Sequence, residues 1–101
     1  MTALRELESW FLSQCDGDWE HGEGIRIATL DNPGWAIDID LVGTDVDNKK
    51  VEARRLDRGA HDWLHMFITD GKFKIRCGPT NLEQALDMFL RWADDTRDVE
   101  H

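Results

Sequence analysis

Apolar residues recur along this chain at two spacings, and the switch between them marks out helices and strands. From Leu4 the interval is three or four residues, through Leu7, Phe11 and Cys15 with Trp10 alongside, which predicts a first helix capped by Thr2 and ended by Gly17. From Gly24 the interval is two. Ile25, Ile27 and Thr29 fall on one side and Arg26 and Ala28 on the other, a short first strand. Asn32-Pro33-Gly34 predicts a type II turn, in which Pro33 presets φ and Gly34 takes a positive φ. A second strand then returns beside the first, with Trp35, Ile37, Ile39 and Leu41 alternating with Ala36, Asp38, Asp40 and Val42. One of its faces is core and the other presents two carboxylates.

After a polar loop from Gly43 to Lys50, a weaker strand is expected from Val51 to Asp57. Val51 and Ala53 point one way and Leu56 the other, which predicts a bulge, a twist or an edge-like strand. In Asp62 to Thr69 both alternating sets are largely apolar, Leu64, Met66 and Ile68 against Trp63, His65 and Phe67, so this strand is expected to be covered on both sides. Asp70-Gly71 is a two-residue hairpin turn, and Phe73, Ile75 and Cys77 then alternate with Lys72, Lys74 and Arg76. Thr80 and Glu83 form a capping box for a last helix with Leu82, Ala85, Leu86, Phe89 and Ala93 as its stripe. That helix is expected to end near Asp94, with residues 95–101 fraying. The order predicts one α+β domain over residues 1–101: helix, five-stranded antiparallel meander, helix, with both helices on one face of the sheet.

Composition narrows the partners more than it narrows the fold. The 101 residues can bury roughly 60–65% of the surface the unfolded chain exposes, enough for one small core. A formal net charge of −9 argues against nucleic acid or an anionic membrane and favours a basic partner. The acid is uneven: Asp16 to Asn48 holds nine acids and one base, Lys49 to Arg76 eight bases and four acids. No apolar run approaches the ~20 residues of a membrane span and the start lacks a signal peptide's pattern, so a cytoplasmic location is expected. Cys15 and Cys77 read as reduced, packed thiols, and their spacing offers no zinc motif.

Three groups of residues offer chemistry. On the face the helices leave open, Asp38 and Asp40 stand with Glu52, Arg54, Lys74 and Arg76 expected beside them; paired carboxylates there suit a cationic partner surface, and also suit a solvated face of cross-strand ion pairs. Trp63, His65 and Phe67 either share that open face, as apolar anchors, or are core, depending on a phase that periodicity leaves open. Asp16, Asp18, Glu20, His21 and Glu23 alternate oxygens on a Gly-rich loop in a way that suits calcium, but the full twelve-residue pattern is missing. The stronger expectation is a fold staple without metal, in which Asp16 or Asp18 accepts loop N–H groups and Trp19 buries its ring. No cofactor motif, nucleophile elbow, phosphate-cradling loop or HExxH occurs, so no catalytic residue is assigned and no enzyme is expected.

The stretch Gln14-Cys15-Asp16-Gly17-Asp18-Trp19-Glu20-His21, then Gly24-Ile25, then Leu30-Asp31-Asn32-Pro33-Gly34-Trp35, resembles the signature of the immunity protein 53 family of bacterial polymorphic toxin systems. Trp10-Phe11-Leu12-Ser13 and Gly78-Pro79-Thr80-Asn81-Leu82-Glu83 extend the resemblance to roughly Leu4–Ala93. It implies a protein that binds and neutralises a cognate toxin, and it carries no catalytic or binding residues with it. Combined with the charge, it predicts a toxin with a basic surface docking on the open face, with Asp38, Asp40, Trp63 and Phe67 as contacts and Asp45 and Asp47 at the rim. Cys15, Asp16, Gly17, Asp18, Trp19, Pro33, Gly34 and Trp35 are then the structural motif. The protein would act as a monomer or weak homodimer. The alternatives are a homo-oligomeric interaction module without a toxin partner, which pairs the apolar part of that face with its own copy, and a metal-dependent enzyme built on the Asp16–Glu23 loop.

Overall fold

The computed structural model describes residues 2–98. Helix α1 (Ala3–Gln14) and a single turn α2 (Trp19–Gly22) lead into strands β1 (Ile25–Leu30), β2 (Gly34–Asp40), β3 (Arg54–Gly59), β4 (Asp62–Thr69) and β5 (Lys72–Cys77), and α3 (Leu82–Asp98) closes the chain. All neighbouring strands are antiparallel, in one open sheet. The α+β class and the element order agree with expectation.

The meander does not hold throughout, because the spatial order is β1-β2-β5-β4-β3. Residues 41–53 are too many for a hairpin loop, and they carry the chain from β2 to the far edge of the sheet. Burial of Val46, a hydrogen bond from Asp45 N–H to the Gln14 side chain (3.0 Å) and one from the Trp92 indole to the Lys50 carbonyl (3.0 Å) hold this crossing against the helix layer. The space beside β2 is left to β5, whose Lys72, Lys74 and Arg76 meet carboxylates there. The turn at Asp70-Gly71 forms as expected, with φ of 54° and 72°.

Strand register sorts the side chains. Ile37 and Ile39, Phe73, Ile75 and Cys77, and Leu64 and Met66 form a buried sheet face with Ala85, Leu86, Phe89 and Ala93 of α3 and with Ala3 and Leu7 of α1. Both helices therefore cover the same side. Trp10 packs edge-on to Phe89 at 4.9 Å and joins α1 to α3. The buried stripe of α1 is Ala3, Leu7, Trp10 and Gln14 rather than Leu4, Leu7, Phe11 and Cys15, since α1 rests on α3 and turns Leu4 outward.

Other local expectations are corrected. β3 begins at Arg54, with its register shift between Asp57 and Gly59, and Arg54 lies opposite Met66 on the helix side, so Arg55 and Asp57 take the open-face places expected of Glu52 and Arg54. Gly34 is the first residue of β2 and has no positive φ. Its requirement is space: a Cβ there would collide with the Cys77 carbonyl oxygen and stand 3.2 Å from Trp63 Cζ2. Thr80 does not cap α3; its hydroxyl donates to the His61 carbonyl, while Asn81 bridges Asp62 and Gln84 at the helix start. The helix continues past Asp94 to Asp98; residues 99–101 lie outside the described residues.

Candidate functional site

The phase of β4 is settled in favour of an open aromatic face. Leu64, Met66 and Ile68 turn to the helices, and Trp63, His65 and Phe67 lie half-buried on the bare side. Across β5 from them stand Arg76 opposite His65 and Lys74 opposite Phe67. Trp63 reaches further, over Gly34 of β2, and adds to the Cys77 carbonyl in leaving that position no room for a side chain.

Asp38 and Asp40 also lie on this face, but their charges are used within the molecule. Asp38 pairs with Arg76 Nη1 at 2.8 Å and lies 3.8 Å from Lys74 Nζ. Asp40 pairs with Arg26 at 3.1 Å and Lys72 at 3.3 Å and accepts the Gly24 N–H at 2.9 Å, with its side chain only 3% exposed. By register the open face holds five cations, Arg26, Arg55, Lys72, Lys74 and Arg76, against three carboxylates, Asp38, Asp40 and Asp57. In a chain of charge −9 this sheet face is locally cationic.

At the end of the face near the β1–β2 turn lies a shallow depression of about 510 Å³, lined by Asn32, Arg55, Asp57, Gly59, Ala60, Trp63 and His65. Arg55 Nε donates to His65 Nε2 at 2.9 Å. Because arginine has no acceptor, the imidazole accepts through Nε2 and carries its proton on Nδ1. Trp63 stands edge-on to His65 at 5.5 Å between centroids. Sequence periodicity missed Arg55, Asp57 and Asn32; only the β3–β4 register and the position of the turn bring them to Trp63.

The remaining acids lie elsewhere. Asp16 Oδ1 accepts N–H bonds from Asp18 and Trp19, and Glu20 accepts those of Asp16 and Gly17, a reciprocal cap that winds the turn α2. Backbone N–H groups, which favour the charged form, hold both carboxyls below their ordinary values, chiefly that of Trp19 for Asp16 and Glu20's own, joined by those of Asp16 and Gly17, for Glu20. The turn delivers Trp19 beneath α1, 6.0 Å from Trp10 and 5.6 Å from Phe11. The stretch from Cys15 to Trp19 is thus a staple between α1 and β1. Asp47 accepts the Gly43 N–H, and the Asp45 backbone is tied to α1, so this loop belongs to the helix layer and does not join Trp63 and Phe67. Trp35 donates its indole N–H to the Pro79 carbonyl at 3.1 Å and secures the entry to α3, while Pro33 lies in the exposed β1–β2 turn. Both cysteines are free; burial pushes the Cys77 thiol up to about 11, and desolvation with Glu20 and Asp16 nearby raises Cys15. Neither suits a nucleophile.

A family model described as immunity protein 53 matches residues 4–94. The chain belongs to the immunity protein 53 family. Searches of curated proteins and of solved structures returned no match. Immunity proteins neutralise toxins and are generally non-enzymatic. The immunity protein 53 signature of this chain folds into the staple and the β1–β2 turn. Among the described residues, no helix is long and apolar enough to cross a membrane.

Proposed function

We propose that this immunity protein neutralises its cognate toxin by covering the toxin's working surface with the open face of its sheet. The observation that carries this reading is the lopsided architecture: both helices take one side, and Trp63 and Phe67 are left half-buried on the other among charged neighbours. Aromatic side chains ringed by polar groups are the anchors from which interfaces draw most of their affinity. Asp38 and Asp40 serve the face by holding Arg26, Lys72, Lys74 and Arg76 in place. Long-range attraction of a basic toxin surface comes from the net charge of −9, to which Asp45 and Asp47 of the loop contribute. An interface on the order of 800 Å² per partner would cover the face.

Calorimetry against a catalytically inactive form of the cognate toxin domain tests the reading. Trp63→Ala and Phe67→Ala are expected to weaken binding by about tenfold or more each. Leu12→Ala, on a residue of α1 that is 72% exposed, is expected to leave it unchanged. The reverse pattern would place the interface on the helices.

A further inference from the structure

We propose that the depression between the β1–β2 turn and the β3–β4 hairpin receives an aspartate or glutamate side chain of the toxin, and that Arg55 is the residue that binds it. The inference rests on the open face being the docking surface and names the chemistry at one end of it.

Most cations of this face are already paired. Arg26, Lys72, Lys74 and Arg76 each have a carboxylate of Asp38 or Asp40 within ion-pair distance. No ion pair reaches Arg55 among the described residues. Its hydrogen bond to His65 uses Nε alone, at 2.9 Å, which orients the guanidinium and leaves the two Nη groups as an end-on fork. A planar fork held in one orientation is the geometry that a carboxylate meets with two parallel hydrogen bonds. Arg55 is exposed beside the half-buried indole of Trp63, an apolar wall that would strengthen such a pair once the toxin covers it and displaces water.

Asp57 is the one opposing charge in the depression, two residues along the same strand. It disfavours a second acidic group and so limits the site to a single carboxylate. A basic toxin surface that carries one acidic residue fits both the overall charge of −9 and the locally cationic sheet face on which the depression lies. Complementarity in both signs sets register as well as approach.

Binding of the inactive toxin domain to four variants separates the possible outcomes. Arg55→Ala is expected to raise Kd by about 30-fold or more, as for a desolvated charged anchor. Arg55→Lys should recover little of that loss, because an ammonium cannot fork, and Asp57→Asn should tighten binding. If Trp63→Ala weakens binding while Arg55→Ala does not, the open face stands and the carboxylate site falls. If neither matters, the docking face itself is wrong. Weakening by Asp57→Asn with a neutral Arg55→Ala would show that a cation enters instead. Sedimentation of the protein without toxin covers the remaining occupant: a dimer that Arg55→Ala dissociates would show the carboxylate comes from a second copy and would overturn the proposal.

Discussion

Asp40 is the most constrained charged group of the sheet, and replacing it with asparagine measures what that constraint contributes. Its carboxylate accepts the Gly24 N–H at 2.9 Å and pairs with Arg26 at 3.1 Å and Lys72 at 3.3 Å. The Asp40 side chain is 3% exposed, whereas those of Arg26 and Lys72 are 57% and 34% exposed. The two cations keep much of their hydration when the charge is removed, so each ion pair contributes only about 0.5 kcal/mol. Losing the charge-assisted part of the buried Gly24 hydrogen bond costs about 1–1.5 kcal/mol more. Together these give about 2 kcal/mol for Asp40→Asn, a fall in midpoint of roughly 8–16 °C for a domain of this size. Asp38 offers the control, since its side chain is 23% exposed and holds no backbone group; Asp38→Asn should cost about 0.5–1 kcal/mol. Urea unfolding followed by tryptophan fluorescence reads both. Equal costs, or less than about 0.5 kcal/mol for Asp40→Asn, would refute the assignment of Asp40 as a clamp between the α2–β1 junction and the sheet. The difference also bears on binding studies, because reversing both aspartates would unsettle the fold before it tested an interface.

Two further outcomes follow from local geometry. Gly34→Ala should destabilise by about 2–3 kcal/mol in the same unfolding assay, because the added methyl meets a backbone carbonyl that cannot move aside without parting β2 from β5; a neutral substitution would show that the sheet relaxes there. Asp16 and Glu20, lowered from ordinary values of 3.8 and 4.5, contribute stability that is fully present above those values and is lost as pH falls through the depressed folded ones. The urea midpoint should therefore drop on acidification below about pH 4.5, less steeply in Asp16→Asn; parallel pH profiles would remove these carboxylates as a source of the acid sensitivity.

The alternation of Ile37 and Ile39 with Asp38 and Asp40, and of Phe73 and Ile75 with Lys72 and Lys74, sufficed to define two strands, each with an apolar and a charged face. The positive φ tolerated at Asp70-Gly71 defined the tight turn that leads into the second of them. The acid loop read equally well as a staple because Asp, Gly and Glu at these spacings satisfy their own backbone N–H groups. All of these are local properties, carried by residues within a few positions of one another.

What local pattern could not decide was which strand lies beside which. Placing β5 next to β2 depends on a crossing of thirteen residues, 41–53, whose anchors at Gln14 and Trp92 are distant in sequence. That one pairing converts Asp38 and Asp40 from free charges into partners of Lys74, Arg76 and Lys72. The tilt of α1 on α3 likewise chose Ala3 and Trp10 over Leu4 for burial. Arg55 acquired its place beside Trp63 only through the β3–β4 register. Sequence by itself determined the elements and the sign of the whole molecule's charge, because periodicity and composition are sums over single residues; tertiary structure decided which charges remain unpaired, because that depends on pairs of residues that only folding brings within a few ångströms.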